Sequence, residues 1–296
     1  MLPVIPKVAS VGSQSASVLS KGQLDFYNEN GFLVIKDLID FASLYNLKKR
    51  FVHIAKGIED AGNIIIVKDP TLIAKGASAE DSINKIQDIH FDNVFSTYSE
   101  DQGLLDVVSQ LIGQDVVVVH SMLINKPPGT NRHPPHQDLY YFPFRPADKI
   151  VAAWTAIDHV NQENGCLYVV PKSHKLVNLI AHQVPADTNK LYHGIVDESM
   201  APDHRRVHLP MAPGDTVFFH PLLIHGSGPN VSKGYRKAIT CHFANGSCHY
   251  IDIEGTIQES VARAVEEQAN RRKIRLSYVD MWRFKNKLVR GVKSSL

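Results

Sequence analysis

Short apolar runs separated by turn-forming residues fill the middle of the chain, from about residue 115 to residue 251, and restrict its fold more than any other feature. Proline, glycine and asparagine recur between the runs, and short runs bounded in this way are typical of strands. Many short strands with regular turns indicate an antiparallel sandwich or barrel. The predicted strands cover residues 116–119 and 122–124, 151–157, 166–170, 207–209, 217–219, 222–225 and 238–243.

Helical patterns flank this β-rich region on both sides. Ser20 is a candidate N-cap for a short first helix, which Gly31 ends. Apolar residues at steps of three and four predict a second helix over residues 41–56, and the chain after Gly255 is helical again. The fold class that we expect is therefore mainly β with flanking helices.

The chain is expected to form one domain over residues 20–296, since no internal repeat or interdomain linker is evident. Residues 1–19 are rich in serine and valine but show no hydrophobic periodicity, so we expect them to form a disordered or processed leader.

Composition argues against several classes of protein. The formal net charge is +2 over 296 residues, so neither a nucleic-acid-binding tract nor a polybasic membrane anchor is indicated. No apolar run approaches the roughly 18–20 residues of a transmembrane helix, and no signal peptide is expected. The cysteines Cys166, Cys241 and Cys248 form no CxxC pair, which argues against a disulfide framework or structural zinc and fits a reducing compartment.

Three residues form a candidate metal site: His136, Asp138 and the distant His225. Two imidazoles and one carboxylate are the ligand set of non-haem Fe(II) oxygenases, which leave the remaining iron positions open. If residues 136–138 form a strand, His136 and Asp138 share one face. The alternative, that His136 and His225 are hydrogen-bonded core or surface histidines, stays open at this stage.

A second triplet of the same form, His90-Phe91-Asp92, weakens the evidence from spacing alone. With fifteen histidines in the chain, roughly one His-x-Asp triplet is expected by chance. The context favours His136, because His225 ends an apolar run and is followed by Gly226 and Gly228, whereas His90 has no comparable partner.

Arg236 lies eleven positions after His225 and is a candidate for binding a carboxylate. Its planar guanidinium pairs with a carboxylate through two hydrogen bonds. A solvated surface arginine is the alternative.

Longer motifs carry a resemblance that spacing does not. The segments that carry it are residues 26–36, 133–148, 153–156, 164–167, 214–228, 236–239 and 241–244. Through these segments the chain resembles the phytanoyl-CoA dioxygenase family over about residues 20–290, which implies a double-stranded β-helix (jelly-roll) of the Fe(II)/2-oxoglutarate oxygenase type.

The resemblance also implies the roles of eight residues. His136, Asp138 and His225 would be the iron ligands and carry catalysis. The presence of Asp138 indicates hydroxylation, because related halogenases lack this carboxylate. Arg236 would bind the distal carboxylate of 2-oxoglutarate with Ser227 beside it. The remaining residues that would line this pocket are Lys85, Met122 and Trp154.

The implied activity is hydroxylation of C2 of a branched fatty acyl-CoA such as phytanoyl-CoA, in fatty-acid α-oxidation. Fe(II), 2-oxoglutarate and dioxygen would be required, with ascorbate as a further candidate cofactor. Two alternatives remain: the same chemistry on another small molecule, or a non-catalytic protein that binds metal or 2-oxoglutarate.

The resemblance implies an acyl-CoA partner and a peroxisomal location, although the carboxyl end, Ser294-Ser295-Leu296, only approaches a Ser-Lys-Leu signal. A cytoplasmic location is the alternative, and the oligomeric state is undetermined. Two basic clusters, residues 48–50 and 271–273, are candidates for contacts with coenzyme A phosphates or are solvated faces.

Overall fold

The computed structural model describes residues 17–77, 79–175, 178–186, 192–271 and 273–296. Most of the predicted leader, residues 1–16, lies outside the described residues. Its last residue, Leu19, is buried, and the Leu19 backbone N–H donates to Oε1 of Gln110 at 2.6 Å. Packing therefore begins just before the predicted domain boundary at residue 20.

The helices lie mainly before residue 113 and after residue 258. Ser20 caps the first of them, because its hydroxyl accepts from the Gln23 backbone while the Gln23 side chain accepts from the Ser20 backbone. Gly31 ends this helix with φ of 82°, a conformation that favours glycine. The helices are α1 (Lys21–Asn30), α2 (Phe41–Ala55), α3 (Pro70–Ala74), α4 (Ala79–Ser82), α5 (Ser96–Ser99), α6 (Gln102–Ile112), α7 (Glu259–Arg271) and α8 (Tyr278–Arg283).

The strands are concentrated between residues 116 and 250, as the sequence predicts. They are β1 (Phe32–Ile35), β2 (Ile65–Lys68), β3 (Ile83–Gln87), β4 (Val116–Lys126), β5 (His133–His136), β6 (Phe144–Arg145), β7 (Ile150–Ala156), β8 (Leu167–Val169), β9 (His182–Gln183), β10 (Gly194–Ile195), β11 (Val207–His208), β12 (Thr216–Phe219), β13 (His225–Ser227), β14 (Arg236–Asn245), β15 (His249–Tyr250) and β16 (Lys287–Arg290).

Two antiparallel sheets carry the architecture. The larger sheet has the order β1-β12-β7-β14-β4-β3-β2, with β16 also paired to β4. The smaller sheet has the order β11-β8-β13-β5. Side chains from both sheets pack into one apolar cluster, in which Trp154 and Phe219 of the larger sheet meet Leu167 and Val169 of the smaller one. The two sheets therefore form a sandwich with the cluster between them.

Helices α1, α2 and α6 cover the opposite face of the larger sheet. Leu47 and Phe51 of α2 pack in one cluster with Leu105 of α6 and with Phe218 and Ile239 of the sheet. Because both of its faces are covered, β7 is buried along its whole length. The predicted mainly β fold with flanking helices is confirmed.

The predicted strand over residues 222–225 is wrong. The Leu223 N–H donates to the His220 carbonyl at 2.9 Å in a turn, and the Ile224 N–H donates to the Ser173 hydroxyl at 2.8 Å. The apolar run reflects a buried turn, since Leu223 and Ile224 are fully buried. Apolar character alone does not separate such a turn from a strand. His225 therefore begins β13 instead of ending a strand.

Candidate metal centre

The smaller sheet brings the two histidines of the candidate metal site together. In the antiparallel pair of β13 and β5, His225 lies opposite His136. The Nε2 atoms of His136 and His225 are 3.5 Å and 3.7 Å from Oδ1 of Asp138. All three side chains are buried, and their ligand atoms lie within 4.8 Å of one another.

Asp138 reaches this site by a route that the strand argument did not predict. Strand β5 ends at His136, and Asp138 begins a short 3-10 helix, Asp138–Tyr141. The Leu139 N–H donates to the Pro221 carbonyl at 3.0 Å, which ties this turn to the segment before His225. The prediction that strand alternation places both side chains on one face is therefore wrong, although the structure does bring them together.

Backbone carbonyls orient both imidazoles. Nδ1 of His136 lies 2.9 Å from the Pro134 carbonyl, and Nδ1 of His225 lies 3.0 Å from the Leu223 carbonyl. Because a carbonyl only accepts, each Nδ1 carries the proton and each Nε2 presents a lone pair to the site. Burial lowers the pKa of His225 to about 4, which keeps that ring neutral near pH 7.

A third histidine, which the sequence did not reveal, holds Asp138. Nε2 of His242, on β14, donates to Oδ2 of Asp138 at 2.8 Å. Burial alone would raise the pKa of Asp138, but the neighbouring His225 and His242 hold it well below its usual range. Oδ2 is thus occupied by His242, while Oδ1 faces His136 and His225.

This donor set fits a divalent transition metal. Two imidazole nitrogens and one carboxylate oxygen converge on one point, and hydrogen bonds orient each of these groups, which is the usual arrangement around a bound metal. Among the residues that the structure describes, these three side chains form the one group of His, Cys, Asp or Glu with such geometry.

A cavity lies beside these three residues. His133 lines it, and the His133 ring stacks on the His136 ring with centroids 4.1 Å apart. All five residues that the resemblance assigns to co-substrate binding line this cavity together: Lys85, Met122, Trp154, Ser227 and Arg236.

Arg236 presents hydrogen-bond donors that have no acceptor. It is 2% exposed, and its Nε and Nη1 atoms make no hydrogen bond within the described part of the chain. The guanidinium carbon lies 5.5 Å from the centre of the Trp154 ring. Burial lowers the pKa of Arg236 to about 10, so the group remains a cation at neutral pH. A buried guanidinium with unused donors is suited to binding an anion.

Eight further lining residues were not predicted, among them Lys126, His133 and Tyr192. The sequence places Lys126 before Pro127-Pro128, where a surface loop is expected, and Tyr192 lies outside every motif used above. Only the pairing of β4 with β14 indicates that Lys126 lies next to Arg236.

Three side chains of the basic clusters are paired with carboxylates. Lys48 contacts Asp158, and Arg50 contacts Asp92 and Glu59. Arg271 contacts Glu267 at 4.0 Å, and residue 272 lies outside the described residues. These pairs give no support to a phosphate site at either cluster.

Within the described ranges, no helix has the length and apolar character that a membrane crossing requires.

The family model and the relatives that match this chain belong to one family. A model of the phytanoyl-CoA dioxygenase family matches residues 27–238. The chain is 44% identical over 307 residues to the probable phytanoyl-CoA dioxygenase of Caenorhabditis elegans, covering 96% of this chain and 97% of that protein. It is 43% identical over 291 residues to the peroxisomal phytanoyl-CoA dioxygenase of Homo sapiens, covering 95% of this chain and 85% of that protein.

Solved structures share the fold at lower identity. EctD from S. alaskensis, with 2-oxoglutarate and 5-hydroxyectoine, aligns with a TM-score of 0.64 and 23% identity over 82% of both chains. The alpha-ketoglutarate-dependent carbocyclase SnoK aligns with a TM-score of 0.60 and 21% identity, covering 78% of this chain and 86% of SnoK. The predicted jelly-roll of the Fe(II)/2-oxoglutarate oxygenase type is confirmed.

Proposed function

This chain belongs to the phytanoyl-CoA dioxygenase family, and we propose that it hydroxylates C2 of a branched fatty acyl-CoA such as phytanoyl-CoA, in fatty-acid α-oxidation. The observation that carries the proposal is the convergence of His136, Asp138 and His225 beside a basic cavity. The single domain over residues 20–296 and a peroxisomal location, after the relatives named peroxisomal, are part of the same proposal.

In this proposal His136 and His225 hold Fe(II) through Nε2, and Asp138 holds it through Oδ1. Bound Fe(II) supplies the activation of dioxygen, of which one atom enters the C2 hydroxyl and the other enters succinate as 2-oxoglutarate loses carbon dioxide. Ascorbate is proposed as a reductant that keeps the iron ferrous.

The cavity residues orient the co-substrate. Arg236 pairs with the distal carboxylate of 2-oxoglutarate, since two of its donor atoms have no acceptor among the described residues, and Ser227 lies beside it. Lys85, Met122 and Trp154 form the remaining walls. A fixed co-substrate leaves one side of the metal centre for the substrate, so the protein's contribution is the position of the C2–H bond.

The test is the release of succinate from purified protein with Fe(II), 2-oxoglutarate and a panel of acyl-CoA thioesters. We expect one thioester to stimulate release and to yield its 2-hydroxy product in equal amount. Stimulation by an unrelated small molecule instead would favour the same chemistry on another substrate. Tight binding of 2-oxoglutarate without release with any compound would favour a non-catalytic binding protein.

A further inference from the structure

The cavity beside the metal centre has an unusual charge balance. Three basic side chains line it, Lys85, Lys126 and Arg236, and no aspartate or glutamate among the described residues does. Lys126 and Arg236 lie next to each other in this lining, on the facing strands β4 and β14.

Lys126 is held in place by neutral acceptors. It lies opposite Arg236 in the pairing of β4 with β14. Its ammonium donates to the Ser227 hydroxyl at 3.0 Å and to the Gly228 carbonyl, and the residue is 3% exposed. An ammonium has three donors, so these two contacts leave one donor for the cavity.

A neighbouring lysine shows how this chain otherwise buries an ammonium. Lys237, the next residue on β14, is 2% exposed, and its Nζ pairs with Glu80 at 2.7 Å. Lys126 has no carboxylate partner within the described residues. Burial lowers the pKa of Lys126 well below its usual range, and the charge of Arg236 lowers it further. Two buried basic groups side by side without an acid are costly unless an anion joins them.

We propose that Lys126 and Arg236 together form a two-cation site for the distal carboxylate of 2-oxoglutarate, and that Lys126 selects dicarboxylic over monocarboxylic 2-oxo acids. The proposal rests on the proposed function, since it assigns a further residue to the same co-substrate. Arg236 supplies two parallel donors to the carboxylate, and Lys126 supplies a point charge from the facing strand.

The experiment compares two 2-oxo acids that differ only at the distal end. 2-Oxoglutarate and 2-oxopentanoate are titrated into Mn(II)-loaded protein without oxygen, and binding is followed by calorimetry, so that no turnover is needed. In Lys126→Met we expect 2-oxoglutarate to bind roughly 10- to 100-fold more weakly, the scale of one hydrogen bond to a charged group. The affinity for 2-oxopentanoate should stay within about twofold, because this acid offers no carboxylate to Lys126.

Two further variants test whether Lys126 acts through its charge or only supports the surrounding structure. Lys126→Gln keeps a donor for Ser227 without the charge, so it should lower the preference for 2-oxoglutarate as much as Lys126→Met does. Lys237→Met is the matched control, since it also removes a buried ammonium from the paired strands, and it should keep the preference. Thermal unfolding without ligand checks the fold, and the stabilisation that 2-oxoglutarate adds should shrink only in the Lys126 variants.

Several results would overturn the inference. An equal loss of affinity for both acids in Lys126→Met, or recovery of the preference in Lys126→Gln, would make Lys126 a structural support only. A wild-type protein that binds both acids equally would also exclude the selective site. If the wild-type protein binds neither acid, the proposed function itself fails, and this outcome is distinct from a failure confined to Lys126.

Discussion

Two His-x-Asp triplets of the same form have opposite environments. In His90-Phe91-Asp92 both ring nitrogens are satisfied, since Nδ1 of His90 lies 2.6 Å from the Ser121 hydroxyl and Nε2 lies 2.7 Å from the Lys285 carbonyl. In the other triplet a backbone carbonyl occupies only Nδ1 of His136, and Nε2 points to Asp138. Both histidines are buried, so burial does not distinguish them.

The two aspartates differ in the same way. Asp92 turns away from His90, accepts from the backbone N–H groups of Val94 and Phe95, and pairs with Arg50 at 2.8 Å. Asp138 points one oxygen at the imidazoles and gives the other to His242. The comparison shows that a metal-binding triplet is recognised by ligand atoms left without a protein partner.

The largest expected effect is the loss of turnover when either ligand of the His136 triplet is removed. His136→Ala and Asp138→Ala should lower 2-oxoglutarate turnover at least about 100-fold, since even residues that only orient ligands have effects of 10- to 100-fold. Succinate release measures this, and circular dichroism verifies the fold. His90→Ala is the matched control, and turnover that survives in Asp138→Ala would reject the assignment of the iron site.

The second prediction concerns His242, which has no counterpart at the other triplet. His242→Phe should weaken Mn(II) binding about 10- to 100-fold, because Oδ2 of Asp138 loses its donor. His242→Gln keeps a donor and should recover much of the affinity. His120 stacks on His242 without contacting Asp138, so His120→Phe serves as control. Unchanged metal affinity in His242→Phe would show that Asp138 needs no support.

The resemblance gave roles to some residues of the site and missed others whose contacts arise only in the folded chain. His242 lies in a matching segment, 241–244, but its contact with Asp138, 104 positions earlier, could not be read from that segment. In the pairing of β14 with β4, His242 lies opposite His120, next to a register shift between His242 and Phe243. Neither the pairing nor the shift leaves a local pattern in the sequence.

The strand predictions show the same difference between local sequence patterns and contacts made only in the folded chain. The long strands β7 and β14 were predicted to within a few residues, and β4 was predicted as two runs, because each contains several apolar residues in a short stretch of sequence. The two-residue strands β9 and β10 have no such stretch, and they pair with each other in a separate two-stranded sheet. Lys126 was missed for a related reason: only its pairing with Arg236 reveals that it is buried.

The third prediction tests His90 as a structural residue. His90→Ala leaves the Ser121 hydroxyl and the Lys285 carbonyl without their partner, which should lower the free energy of unfolding by about 1–3 kcal/mol. Urea denaturation measures this change. Affinity for Mn(II) should stay at the wild-type value, and a weaker affinity would mean that the two triplets are coupled.

The smallest effect should come from Asp92, through the pH dependence of stability. Burial would raise the pKa of Asp92, but hydrogen bonds from Arg50, Phe95 and Val94 outweigh it, so the folded pKa lies below the usual value. The unfolded chain therefore binds the proton more readily, and the stabilisation is complete above about pH 4 and is lost as pH falls through the folded pKa. The difference in unfolding free energy between wild type and Asp92→Asn should accordingly stay constant from about pH 6 to pH 4 and narrow from about pH 4 to pH 2. A difference that stays constant over this lower range would show that the charge of Asp92, unlike that of Asp138, contributes nothing.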